Sequence, residues 1–203
     1  NQNMSTATSG SITYWNVTPA PTVTNMFNGA VFNQSLNSWD TSSVINMSRM
    51  FENAIFFNSE IKFWNVSNVT NMGYMFSSAI SFNQPIGNWD VSSVTNMEYM
   101  FYNATSFNQP LNTYTWNVGK VTNMAYMFYN AKSFNQPLDR WDVSNVTNMK
   151  GLFCKQDEHD ENLFDEDISR WDTSNVKEDF LADGTESTEG QNKAKITGKV
   201  VDN

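Results

Sequence analysis

The sequence predicts an α/β repeat solenoid, a chain wound into stacked coils that each carry one short strand and one short helix. Three observations predict it. Seven tryptophans, at 15, 39, 64, 89, 116, 141 and 171, recur at steps of 24, 25, 25, 27, 25 and 30 residues, and a fixed period in this range marks a repeat array. Around Trp89 the chain alternates, with Trp89 and Val91 on one side and Asp90 on the other. Aromatic and β-branched residues favour a half-buried pleated surface, so a short strand is expected over 89–91. Met97, Met100, Phe101 and Ala104 then follow at i, i+3, i+4 and i+7, the spacing of one apolar helix face.

Within a repeat each piece has a reason. Ser92 and Ser93 break the strand, and Thr95 or Asn96 can cap the helix by accepting a bond from a free N–H of its first turn. Phe107 is a further apolar anchor. Asn108-Gln109-Pro110 reads as a turn, because proline disfavours helix at the residue before it. A single repeat cannot bury its Trp, Val, Met and Phe, whereas stacked neighbours can, Trp on Trp, Met on Met and Phe on Phe.

Along the chain, residues 1–14 are expected to be a tail or a cap over the first coil. Repeats occupy 15–182. The first is irregular, interrupted by Pro19 and Pro21, as terminal repeats tend to be. Thr113-Tyr114-Thr115 lengthens one step to 27 residues. After Leu152-Phe153 an acidic insertion intervenes, and Leu163-Phe164 and Ile168 restore the frame before Trp171. Residues 171–182 read as a C-terminal cap, with Lys177–Leu181 as a closing helix. Residues 183–203 are expected to be a linker followed by the first strand of a further domain.

The phrase W-D-V-S-x-V-T-N-M-x-x-M-F-x-x-A-x-x-F-N-Q-P-L, carried from Trp15 to Trp171, resembles the bacterial surface protein repeat of about 25 residues, the BspA-like leucine-rich repeats, also called the DUF285 repeat. Ile86-x-x-Trp89-x-Val91 is similar to the L-x-x-L-x-L opening of leucine-rich repeats. The resemblance implies a right-handed leucine-rich-repeat-like coil, with short parallel strands on one face and short helices on the other. It also implies a secreted or cell-surface location, with anchoring to a bacterial outer membrane as one mode, and a role in adhesion or interaction. It brings no catalytic residues. Lys195–Asp202 resembles the first strand of carboxypeptidase-regulatory-like modules.

Composition narrows the partners. With 12 basic and 21 acidic residues the formal net charge is −9. Nucleic acid needs clustered Lys and Arg, and anionic lipid needs a basic patch, so neither is expected. The single cysteine, Cys154, excludes an intrachain disulfide and reads as a packed thiol. No apolar run reaches the length of a membrane span. The chain opens Asn1-Gln2-Asn3-Met4-Ser5 with neither the charged nor the apolar part of a signal peptide, as expected where one has been removed or is not included.

The candidate site is the outward position after each tryptophan: Asn16, Asp40, Asn65, Asp90, Asn117, Asp142 and Asp172, flanked by Ser42, Ser67, Ser92, Ser144 and Ser174. On a leucine-rich-repeat sheet this column lies on the concave face. It suits hydrogen bonding to a protein or a glycan, and equally it suits bonding to nearby backbone, as short polar side chains often do. A second column, Asn25, Asn46, Asn71, Asn96, Asn123 and Asn148, reads as structural, its amides satisfying backbone groups of adjacent coils. In the acidic insertion, Asp157, Glu158, Asp160, Glu161, Asp165, Glu166 and Asp167 could hold Ca²⁺, although the EF-hand order and its glycine are missing. His159 is the only histidine, a poor basis for zinc or for a catalytic triad. The expected protein is a non-enzymatic interaction module or, alternatively, an accessory lipoprotein packed on a larger envelope complex.

Overall fold

A computed structural model of the chain describes residues 20–154 and 164–177. The first repeat tryptophan, the tail, most of the acidic insertion, residues 178–181 of the expected closing helix and everything after them lie outside the described residues. Within them the coils stack as expected, but the secondary structure does not match the expectation. Among the described residues there is no helix and no extended strand; β-pairing there is limited to five isolated parallel bridges, Thr22 to Asn46, Asn46 to Asn71, Asn71 to Asn96, Asn96 to Asn123 and Asn123 to Asn148. The molecule is therefore not an α/β coil of parallel strands and helices, and no sheet supplies a concave face.

The reason lies in where the amides point. The N–H groups of Met97, Tyr99, Phe101 and Asn103 donate to the carbonyls of Asn123, Ala125, Met127 and Tyr129 in the next coil, at 2.9, 2.8, 2.8 and 2.9 Å. The amides between them turn back inside the coil: Met100 donates to Met97, Tyr102 to Tyr99 and Ala104 to Phe101, at 3.2, 3.2 and 3.0 Å. An α-helix needs every one of these amides to reach four residues back. Here every second one is committed to a neighbouring coil, and the segment becomes three overlapping four-residue turns.

Such a path requires left-handed backbone at fixed places. Tyr74, Tyr99 and Tyr126 have φ of 59°, 54° and 55°, with Asn25 and Arg49 at the same place in earlier coils, both at 58°. Four residues on, Asn53, Ser78, Asn103 and Asn130 have φ of 58°, 56°, 55° and 53°. Asparagine visits this region readily, but tyrosine and arginine do so at a cost of about 1–2 kcal/mol each. Gly151 ends the first series at φ 60°. It has a second reason to be glycine, since a Cβ there would stand 2.6 Å from the Tyr126 ring.

The apolar spacing that resembles a helix face still selects the interior. Met97, Met100, Phe101, Ala104 and Phe107 are fully buried. Two phenylalanine columns run the length of the described stack. Phe27, Phe51, Phe76, Phe101, Phe128 and Phe153 follow one another at 5.6, 5.6, 5.7, 5.5 and 5.8 Å between ring centroids. Phe32, Phe57, Phe82, Phe107, Phe134 and Phe164 do the same at 5.5 to 6.1 Å. Phe153 and Phe164 lie 3.9 Å apart, close to the 4.1 Å of Phe101 and Phe107, so the acidic insertion leaves both columns intact.

The tryptophans form a third column. Trp39, Trp64, Trp89 and Trp116 stack at 6.2, 6.3 and 6.3 Å, and Trp141 stacks on Trp171 at 6.2 Å. Each buried indole needs an acceptor for its N–H. Trp64, Trp89, Trp141 and Trp171 donate Nε1–H to the carbonyls of Leu36, Ile61, Leu111 and Leu138 in the preceding coil. Trp116, which follows the Thr113–Thr115 insertion, is the exception: its buried Nε1 has no acceptor among the described residues.

Two stability predictions follow from these contacts. Phe101→Ala empties the middle of one column and should cost about 3–5 kcal/mol; a denaturant titration showing less than about 1 kcal/mol would place the ring outside the core. At Tyr99 the usual ranking of alanine over glycine should invert. Both substitutions lose the side chain, but only Tyr99→Gly relieves the left-handed strain, so its urea midpoint should exceed that of Tyr99→Ala.

Candidate functional site

The column after the tryptophans is exposed at Asp40, Asn65, Asp90, Asn117, Asp142 and Asp172; Asn16 lies outside the described residues. Each side chain is held by its own coil. The Oδ1 atoms accept the backbone N–H two residues on, from Ser42, Ser67, Ser92, Gly119, Ser144 and Ser174, at 3.0, 3.1, 3.1, 2.9, 3.1 and 3.0 Å. The hydroxyls of Ser42, Ser67 and Ser144 add a second bond at 2.6, 2.8 and 2.7 Å. Ser174, through side chain and backbone, holds the Asp172 carboxyl below its ordinary range.

This local bonding is the structural role that the sequence left open, and it engages one heteroatom per side chain. The second heteroatom of Asn65, Asp90, Asn117, Asp142 and Asp172 makes no hydrogen bond among the described residues. The result is a file of short polar groups, one per coil, each oriented by its turn, with these five keeping one unbonded atom each. Neighbouring polar groups tie the coils together: Asn68, Asn145 and Asn175 donate side-chain N–H to the carbonyls of Ser42, Gly119 and Ser144 in the preceding coil. Thr70, Thr95, Thr122 and Thr147 donate to the carbonyl one coil back at 3.1–3.3 Å.

The asparagine column is structural, with two corrections: its side chains bond backbone in their own coil rather than in adjacent coils, and its first rung is different. Asn46, Asn71, Asn96, Asn123 and Asn148 carry the parallel bridges, and each Oδ1 accepts the N–H two residues on. The first rung is Thr22 rather than Asn25; Asn25 falls on the left-handed position of Arg49 and Tyr74. A further asparagine column runs between coils, of which the sequence shows only Asn108, as part of a turn. Asn33, Asn58, Asn83, Asn108 and Asn135 accept through Oδ1 the backbone N–H of residues 58, 83, 108, 135 and 165.

Of the acidic insertion, Asp157, Glu158, Asp160 and Glu161 lie outside the described residues, as does His159. Asp165 donates its N–H to Asn135, and Asp167 accepts the N–H of Ser169. Among the described residues no group of three His, Cys, Asp or Glu side chains is placed to hold a metal. Cys154 is half-buried and in no disulfide.

Sequence reasoning missed a surface of tyrosines. Tyr74, Tyr99 and Tyr126 stack at 4.5 and 4.8 Å, and Tyr102 stacks on Tyr129 at 4.9 Å. The Arg49 guanidinium caps the series 3.9 Å above Tyr74. Their recurrence at one place in the repeat was the available signal, but on a helix that place is merely solvent-facing. The rings cover one another's faces and stand half-buried. Burial pushes the Tyr99 hydroxyl up from 10.0 to about 12, with Tyr74, Tyr126, Tyr102 and Glu98 adding to the shift; burial also raises Tyr74.

A family model described as a Mycoplasma protein of unknown function, DUF285, matches residues 2–114 and again 112–182. No curated protein and no solved structure matches the chain.

The tyrosine shift has a measurable sign. Above pH 10.0 the unfolded chain releases the Tyr99 proton while the folded chain keeps it until about 12. The stability present below the unfolded value is therefore lost as pH rises through this window. Urea midpoints compared at the two ends of the window should fall less for Tyr99→Phe than for the natural chain; equal falls would show that Tyr99 titrates normally.

Proposed function

The chain belongs to the DUF285 family, and from that premise we propose that it is a non-enzymatic interaction module of a secreted or cell-surface protein, binding a protein or a glycan through its repeat surface. The observation that supports this reading is the file from Asp40 to Asp172. Its atoms are oriented by the fold, one per coil, and the second one of most side chains is not consumed by the fold. A partner with a repeating arrangement of polar groups meets the same geometry at every coil, so weak single contacts add up along the stack. The file stands on an open surface, without the water-excluding enclosure in which side-chain chemistry gains its force. No helix among the described residues is long and apolar enough to cross a membrane.

A second reading, an accessory lipoprotein subunit on a larger envelope complex, is favoured by a different face. Val31, Ile55 and Ile80, at equivalent places in three successive coils, are exposed together with Phe56, and grouped exposed apolar side chains mark surfaces that meet a partner.

The two readings separate by experiment. On protein and glycan arrays the natural chain should give a saturable signal that Asp90→Ala combined with Asp142→Ala abolishes. Stoichiometric co-purification with an envelope partner, with no array signal, would favour the accessory subunit; an array signal untouched by the double variant would remove the file from the binding surface.

A further inference from the structure

Two aromatic rings stand in solvent where the repeat departs from its own pattern. Phe63, immediately before Trp64, is 70% exposed, and Tyr114, in the insertion before Trp116, is 90% exposed. Other coils place Asn88 and Arg140 just before the tryptophan. Both rings border the polar file, Phe63 beside Asn65 and Tyr114 beside Asn117. The coil between them is tied to each side: Asn88 donates to the Lys62 carbonyl at 3.3 Å, and Thr113 and Thr115 both donate to the Gly87 carbonyl. Hydrogen-bonded neighbours of this kind are spaced by about 4.8 Å, so two coils separate the rings by about 10 Å.

Each ring carries a cation on one face only. Lys62 Nζ lies 4.9 Å from the Phe63 centroid, and the Arg140 guanidinium 5.2 Å from that of Tyr114. No other ring contact involves either residue among the described residues, and at 70% and 90% exposure both rings keep most of their area open to solvent. Arg140 is fixed in turn by its backbone, whose N–H donates to Asn112 Oδ1 at 3.0 Å.

We propose that Phe63 and Tyr114 are stacking positions for a glycan chain laid along the polar file. This deepens the surface-binding reading above and rests on it. A pyranose ring has an apolar C–H face rimmed by hydroxyls, and its complement is an aromatic face with short hydrogen-bonding groups beside it. That is the pairing of Phe63 with Asn65 and of Tyr114 with Asn117, with Asp90 between. A protein partner fits these two places less well, because its contact centre requires clustered, dehydrated side chains, whereas these rings are isolated from one another by Gly87 and Asn88. Nucleic acid would also stack on rings, but a chain of net charge −9 repels its phosphates.

Native affinity gels containing hydroxyethyl cellulose, glycol chitin or mannan test the proposal. The natural chain should be retarded in at least one. Phe63→Ala and Tyr114→Ala should each weaken that retardation about tenfold, the effect of losing one ring contact of ordinary strength, while Tyr114→Phe keeps it. Both rings are exposed, so the thermal midpoints of the variants should match that of the natural chain. Absence of retardation in all three gels, or retardation unchanged in both alanine variants, would overturn the proposal. If the arrays then still show a protein ligand lost on Asp90→Ala with Asp142→Ala, the surface-binding reading stands and only the glycan assignment falls.

Discussion

The structure depends on a division of labour among backbone amides. Along each Met-to-Ala segment every second N–H reaches forward to the next coil, and those between close turns within their own. One coil therefore cannot hold its shape without the next, because half of its donors have no partner inside it, and a buried unpartnered donor is expensive. The left-handed residues are the consequence. Aligning alternate amides along the stack requires a reversal of φ every few residues, and the chain accepts that strain at Tyr74, Tyr99 and Tyr126 because both hydrogen bonding and ring stacking fix those residues in place.

That same arrangement explains what the sequence revealed and what it concealed. The interior was legible. Tryptophan, methionine and phenylalanine recur at fixed places, and Phe101 or Trp89 is buried whichever backbone lies beneath it. The helix was not legible as an error, because i, i+3, i+4, i+7 describes which side chains face inward and is silent on which carbonyl each amide meets. Three overlapping turns with two left-handed residues place Met97, Met100, Phe101 and Ala104 on one side as well as a helix would. The sign of φ at Tyr99 leaves no mark in composition, since tyrosine is an unfavourable choice there and only the neighbours make it tolerable. The misplacement of Asn25 has a related origin: the first coil is shortened, so an Asn-Met pair matches in letters while Thr22 matches in space.

The candidate site was legible in position and only partly in role. The file Asp40, Asn65, Asp90, Asn117, Asp142 and Asp172 is exposed where the alternation placed it, although it belongs to turns and not to a sheet. Its chemistry divides within single side chains: Oδ1 serves the fold, while the second heteroatom of Asn65, Asp90, Asn117, Asp142 and Asp172 makes no hydrogen bond among the described residues. Asn-Gln-Pro looked like a turn because proline dominates local reading, while the work of Asn83 and Asn108 is done across coils, at a sequence distance that local reading does not span.

Repetition also bears on where recognition resides. A residue present in every coil is, for the most part, already engaged: the tryptophans by stacking and by their indole bonds, both asparagine columns by amides, the threonines by carbonyls. Such positions vary little in environment and offer a partner little that distinguishes one coil from another. Distinction enters where the pattern is broken. Phe63 replaces a polar residue before a tryptophan, Thr113–Thr115 lifts Tyr114 into solvent and leaves the Trp116 indole without its acceptor, and Val31, Ile55 and Ile80 are apolar where later coils carry Thr105 and Lys132. An apolar ring held in water and a buried donor left unbonded both oppose folding. The fold gains nothing visible from either, and these departures are the places where the proposed contacts with a partner would be made.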